Sequence, residues 1–221
     1  MEKYQFLQDT DQEIIVDLKK NAKKSDSVYA FSLKNATLDL HLRCYEEGIR
    51  AQIFIFIPSF SPNIEGYNRG YESKVIVKAD ISSPDVYLNI HCISILSLNS
   101  SVNVQGEINI SAGLKDVETH LMEEVVLLEG AKYTQLKPIL NVASPSVKAS
   151  HGAKIHRINR EHLFYLESKG FAGQNALDLI LQGYKQHIFD HFSDSDKIKS
   201  SRPSSRTDCP VIDTDNLVSR F

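Results

Sequence analysis

Eight histidines and three cysteines are the residues of this chain best suited to hold a metal or carry a proton. The cysteines, Cys44, Cys92 and Cys209, are far apart and odd in number, a reducing-compartment pattern rather than a disulfide framework. No two stand at CxxC spacing, which excludes a self-contained four-cysteine zinc or iron-sulfur site. His187 and His191 are four apart in a segment of helical periodicity, so they share a face and have a spacing that can chelate zinc. HIFDH lacks a glutamate beside the first histidine and is not the metalloprotease signature, so the pair reads as polar-face histidines flanking an apolar stripe. His41 and His91, near Cys44 and Cys92, read as ordinary strand residues. His151 has the most suggestive setting. It ends a segment in which Val147, Ala149 and His151 share a face, and Gly152 then lets the backbone turn. An imidazole held at a turn suits metal coordination or proton transfer, but from the residues alone it reads first as a hydrogen-bonded structural histidine. A small hydrolase would need His151 with an acid such as Glu118 or Glu123. There is no Walker-type phosphate loop and no GxSxG elbow.

The elements that must position these residues are mostly strands. From Val28 to about Asn141 run VYAFSL, ATLDLHL, IRAQIFIFI, KVIVKA, VYLNIHCISI, SVNVQGEINI, EVVLLEG and KPILNV, each short and bounded by Gly, Asn, Ser, Asp or Pro. Leu38, Leu40 and Leu42 alternate with Thr37, Asp39 and His41, the mark of a half-buried strand. In Gln52 to Ile57 both faces are apolar, so the strand is either covered on both sides or meets another chain. Even spacing fits a sandwich, a barrel or an irregular β-solenoid. PSFSPNIEGYNRGYES, between Ile57 and Lys74, reads as a surface connector. Past Ala153 the period turns helical. Asn159 can cap Arg160 to Lys169 with Gly170 as the stop, and Leu177, Ile180, Leu181, Tyr184, Ile188 and Phe192 form the apolar stripe of a second helix, the two making a helical hairpin. The expected divisions are an extension over 1–27, a β core over 28–153, the hairpin over 154–192 and a polar, disordered tail over 193–221.

The 221 residues are enough for one medium domain, and a formal net charge of -3, from 25 basic and 28 acidic residues, offers no surplus to attract nucleic acid. No apolar run is long enough to span a membrane, and the acidic, polar start is unlike a secretory signal; a cytoplasmic protein is expected.

KPILNV followed by VKASHGA and then LFYLESKG, with Ala176 and Leu177 opening the next helix, resembles the end of the SufB/SufD family, the scaffold subunits of the SUF iron-sulfur cluster assembly machinery, and is closer to SufD. VQGEINI and VLLEGA resemble the strand around a single glycine and the leucine-rich turn of the same family. The resemblance implies a right-handed parallel β-helix with a C-terminal helical hairpin, shortened relative to the family. It implies a non-enzymatic scaffold that pairs with a SufB-like subunit and docks a SufC-like ABC ATPase; a rival reading keeps the fold as a structural homodimer without a cluster role, with Gln52 to Ile57 as the contact. His151 then matches the SufD histidine implicated at the subunit interface, where an iron-sulfur cluster would be held transiently and not by this chain alone. The position two before it, often cysteine in SufD, is Ala149, so only the imidazole is on offer. Phe164, Tyr165 and Leu166, with Leu177, Leu181 and Tyr184, are the expected ATPase-docking residues.

Overall fold

Short β-branched runs separated by residues that tolerate tight corners cannot bury both faces singly, so they stack. The computed structural model describes residues 2–20, 26–59, 70–97, 99–128, 130–132, 134–171, 173 and 175–184. Its first unit ends at Arg157 and its second begins at Ile158. Among the described residues the first contains eleven strands: β1 (Glu2–Gln8), β2 (Asp11–Leu18), β3 (Ser27–Lys34), β4 (Thr37–Cys44), β5 (Ile49–Ser59), β6 (Glu72–Ile81), β7 (Val86–Leu96), β8 (Ser101–Ile110), β9 (Lys115–Leu127), β10 (Thr134–Val142) and β11 (Ser146–Arg157). The odd strands form one sheet in the order β1-β3-β5-β7-β9-β11, the even strands a second in the order β10-β8-β6-β4-β2, and every pairing is parallel. The chain thus changes sheet at every corner, consistent with a parallel β-helix.

Alternation decides what lies between the sheets. Leu38, Leu40 and Leu42 of β4 are fully buried and meet Ile53, Ile55, Leu88 and Ile90 of the other sheet in one hydrophobic cluster. Each such side chain is worth roughly 1.5–3 kcal/mol for leaving water. Corners are turned by residues in the left-handed region, Asp9, Asn35, Asp85 and Asn99, whose short polar side chains tolerate it, and Asp116, also left-handed, is the residue skipped at the start of the β9–β11 ladder. Successive corners are tied together, as where the Asn35 amide donates to Asp9 Oδ1 at 2.6 Å.

One expectation changes and one open alternative is decided. Residues 2–18, taken as an extension, form β1 and β2, the first coil: Ile14 and Val16 pair with Leu40 and Leu42 and pack on the core, which a single short apolar cluster could not reveal. In Gln52–Ile57, Phe54 and Phe56 are buried as well as Ile53, Ile55 and Ile57, so the strand is covered on both sides. The loop residues 60–69, His187, His191, Cys209 and the tail 193–221 lie outside the described residues. Gly70, where that loop ends, lets the chain pass a neighbour: a Cβ there would sit 2.1 Å from the Asn99 carbonyl oxygen.

Candidate functional site

The expected turn at Ser150-His151-Gly152 is not formed. β11 runs unbroken through Gly152, paired with β9 from Val147↔Val117 to Arg157↔Leu127. The glycine has another cause. Its partner across the ladder is Met122, and a Cβ would lie 3.1 Å from that residue's Cε, so the strand is smooth here because a bulky neighbour leans over it.

The shared face of Val147, Ala149 and His151 is real, and it is the inward one. Register places His151 at the end of the row Tyr29–Ile53–Ile90–Leu121–His151. The first four members are core; His151 is exposed, because β11 is the last strand of its sheet. Ala149 and Ala153 flank it on the same face, opposite Thr119 and Glu123. An imidazole in a core position at the open end of a coil, between two small side chains, is accessible and uncrowded.

The acids proposed for a hydrolase do not assemble with it. Glu118 projects from the other face of its sheet, where it pairs with His120 Nε2 at 3.2 Å and Lys148 Nζ at 3.9 Å. Glu123 points inward and is completely buried, one row along from His151. Its carboxyl is pushed up to about 7 by burial, with the backbone N–H groups of Gly106 and Lys137 offsetting part of that. Cys44 and Cys92 are also interior: burial pushes the Cys44 thiol up to about 12 and raises Cys92 further, with Glu123 adding to the latter, so neither is a ready thiolate.

Sequence reasoning missed what holds β11 in place. On the outer face of the β9–β11 pair, Ser150 Oγ lies 2.7 Å from His120 Nδ1, while Lys154 Nζ and His156 Nε2 reach Glu124 Oε1 at 3.0 and 2.9 Å. His91 of β7 approaches the same carboxylate at 3.7 Å. Partial burial raises Glu124, but Lys154 and the two histidines outweigh it and hold the carboxyl below its ordinary value. The signal was available in the offset of about thirty residues between rows: once coils stack, 118, 120 and 124 fall beside 148, 150, 154 and 156. Elsewhere His41 is the strand residue it was read as, paired with Asp80 at 2.6 Å.

In the second unit, helix α1 (Arg160–Ser168) begins as the residues indicate, with Asn159 Oδ1 accepting from the Glu161 N–H at 2.9 Å. It ends on Gly170 at φ +94, whose N–H donates to Glu167 while Phe171 donates to Leu166, a Schellman closure. Asn159→Ala should cost about 1 kcal/mol of local stability, seen as faster amide exchange at residues 160–163 with β11 unchanged. A second helical segment covers 175–184. Of the expected docking residues, Phe164 and Tyr165 are 73% and 60% exposed, whereas Leu181 is buried at 4% and belongs to packing; Leu166, Leu177 and Tyr184 are half-buried. Among the described residues no helix is long and apolar enough to cross a membrane.

Among the described residues, no group of three or more His, Cys, Asp or Glu side chains could hold a metal ion. Among the described residues both cysteines, Cys44 and Cys92, are buried, so neither offers a thiolate on the surface that carries His151.

The sequence model for "SUF system FeS cluster assembly, SufBD core domain" matches residues 67–184. The chain is 28% identical over 89 residues to the iron-sulfur cluster assembly protein SufD of Escherichia coli (strain K12), a stretch covering 40% of this chain and 21% of that protein. It is 25% identical over 95 residues to the SufBD family protein ycf24 of Galdieria sulphuraria, covering 42% and 43%, and 35% identical over 54 residues to the SufBD family protein slr0076 of Synechocystis, covering 24% and 12%. The chain thus spans less than half the length of these relatives.

Proposed function

The chain belongs to the SufBD family of the SUF iron-sulfur cluster assembly system, and from that premise we propose that it is a SufD-like, non-enzymatic scaffold subunit that pairs with a SufB-like subunit and docks a SufC-type ATPase. The observation that carries this reading is the open end of the coil. β10 and β11 are the last strands of their sheets, each with one edge free of any strand among the described residues, and His151 stands on that end. An unpaired edge presents a row of N–H and C=O groups to a partner, and a bare one is a hazard unless something covers it. A second scaffold subunit added there would bring its own side chains against His151. Coil handedness in this reading is right-handed, the hand that parallel crossovers nearly always take.

The iron-sulfur cluster is cargo in this scheme. His151 contributes one nitrogen ligand, and the partner contributes thiolates or carboxylates that Ala149 cannot. Cluster transfer then depends on the interface opening and closing, and the ATPase supplies that work. Phe164 and Tyr165 are apolar surface on a helix with no buried residue, which suits an ATPase contact, with Leu166, Leu177 and Tyr184 bordering it in a helical hairpin. A soluble cytoplasmic setting follows from the same role.

Co-expression with SufB-like and SufC-like subunits under reducing conditions tests the proposal. The chain should purify with both. Phe164→Ala with Tyr165→Ala should release the ATPase and keep the SufB-like subunit, whereas His151→Ala should keep both and lower bound iron and sulfide severalfold. A chain that associates with neither subunit would sink the proposal.

A further inference from the structure

We propose that His120 and Ser150 are positioning residues for His151, an inference that rests on His151 being an interface ligand. β11 is an edge strand held by β9 alone, and its pairing is irregular at its start, between Ser146 and Val147. Edge strands open more easily than central ones because only one ladder opposes fraying. On the inward face His151 stands beside Leu121, and its neighbours along β11, Ala149 and Ala153, are small. Beyond the β9–β11 ladder itself, the outer face supplies a further tie.

There the one side chain adjacent to His151 with a tie to β9 is Ser150. Its register partner is His120, and the two meet at 2.7 Å. His120 is itself held from two sides: Glu118 Oε1 lies 3.2 Å from Nε2, and the Tyr87 ring of β7 packs edge-on at 6.4 Å. These contacts select a tautomer. With the proton on Nε2 donated to Glu118, Nδ1 is left to accept from the Ser150 hydroxyl. Tyr87, Glu118, His120 and Ser150 thus tie β7, β9 and β11 together across the outer face, one residue from the imidazole on the inner face. Neither His120 nor Ser150 faces the cargo; they act by holding the strand that does.

The test uses the co-purified complex carrying Ser150→Ala, His120→Ala, both together, Ser150→Thr, or His151→Ala. Iron and sulfide content is measured, together with the visible absorption of the cluster and amide exchange of β11 in the chain alone. Each single alanine variant should lower cluster content by about fivefold, the equilibrium worth of one such hydrogen bond. The double variant should be no worse than His120→Ala alone, because that substitution already removes the bond to Ser150. Ser150→Thr, which keeps the hydroxyl, should restore content and spectrum, and exchange at residues 149–152 should quicken in the alanine variants only. Full cluster content in the Ser150 and His120 variants alongside loss in His151→Ala overturns the positioning role and leaves the ligand reading standing. No loss in any variant, His151→Ala included, overturns both.

Discussion

Replacing Glu123 by Gln should stabilise the first unit above pH 7 and flatten its dependence on pH between about 4.5 and 7. Glu123 is a carboxyl with no exposed surface, inside the coil beside Cys92 in the row Phe31–Ile55–Cys92–Glu123–Ala153. Burial raises it from 4.5 to about 7, and the amides of Gly106 and Lys137 recover only part of the lost hydration. The native state therefore favours the protonated acid. Its contribution is fully present below the unfolded value near 4.5, declines as pH rises, and is gone above the folded value near 7, where folding must bury a charge. The difference amounts to roughly 3 kcal/mol. Glutamine keeps the shape and has no charge to bury. Urea unfolding of both proteins at pH 5 and pH 8 checks this. The two should be nearly equal at pH 5 and the variant more stable at pH 8; a constant gap across that range would show that the carboxyl is ionised in the fold throughout.

Gly106→Ala is the complementary experiment and should destabilise. A Cβ on Gly106 would lie 2.7 and 2.9 Å from the two Cδ atoms of Leu121 and 2.8 Å from Glu123 Oε1. Gly106 sits in β8, between β6 and β10, with Val77 on one side and Pro138 on the other. Such a strand has little room to move aside. Overpacking of this kind costs about 1–3 kcal/mol, against a gain below about 1 kcal/mol from the stiffer unfolded chain. The net loss would appear as a lower urea midpoint. In a Leu121→Ala background the same substitution should cost much less, because the two Cδ atoms it meets are gone; an equal cost in both backgrounds would place the strain elsewhere.

These two residues show why part of the site was legible and part was not. VQGEINI could be marked as a strand around one glycine, and KPILNV as another strand, from local pattern. Neither shows that Gly106 pairs with Pro138, nor that Glu123 crosses from the opposite sheet to fill the space the glycine leaves. Glu118 and Glu123 were interchangeable as acids for His151 until strand parity put the first on the outer face and the second in the core. His120 and Ser150, thirty residues apart, could be matched only once the offset between stacked rows was known.

By itself the sequence determined β3 to β8, β10 and the end of β9, their inward leucines and isoleucines, the Asn159 cap, the Gly170 stop and the family. Those features are written in periods of two or 3.6 residues, in a cap that acts within one turn, or in motifs that survive at low identity. Tertiary structure alone decided that residues 2–18 are the first coil, that β11 passes straight through Gly152, and that His151 ends a core row at an open edge. In a coiled sheet each residue's neighbours stand a full coil away, and coil length varies with the corners. Register, and with it every side-chain partnership, is settled only when the rows stack.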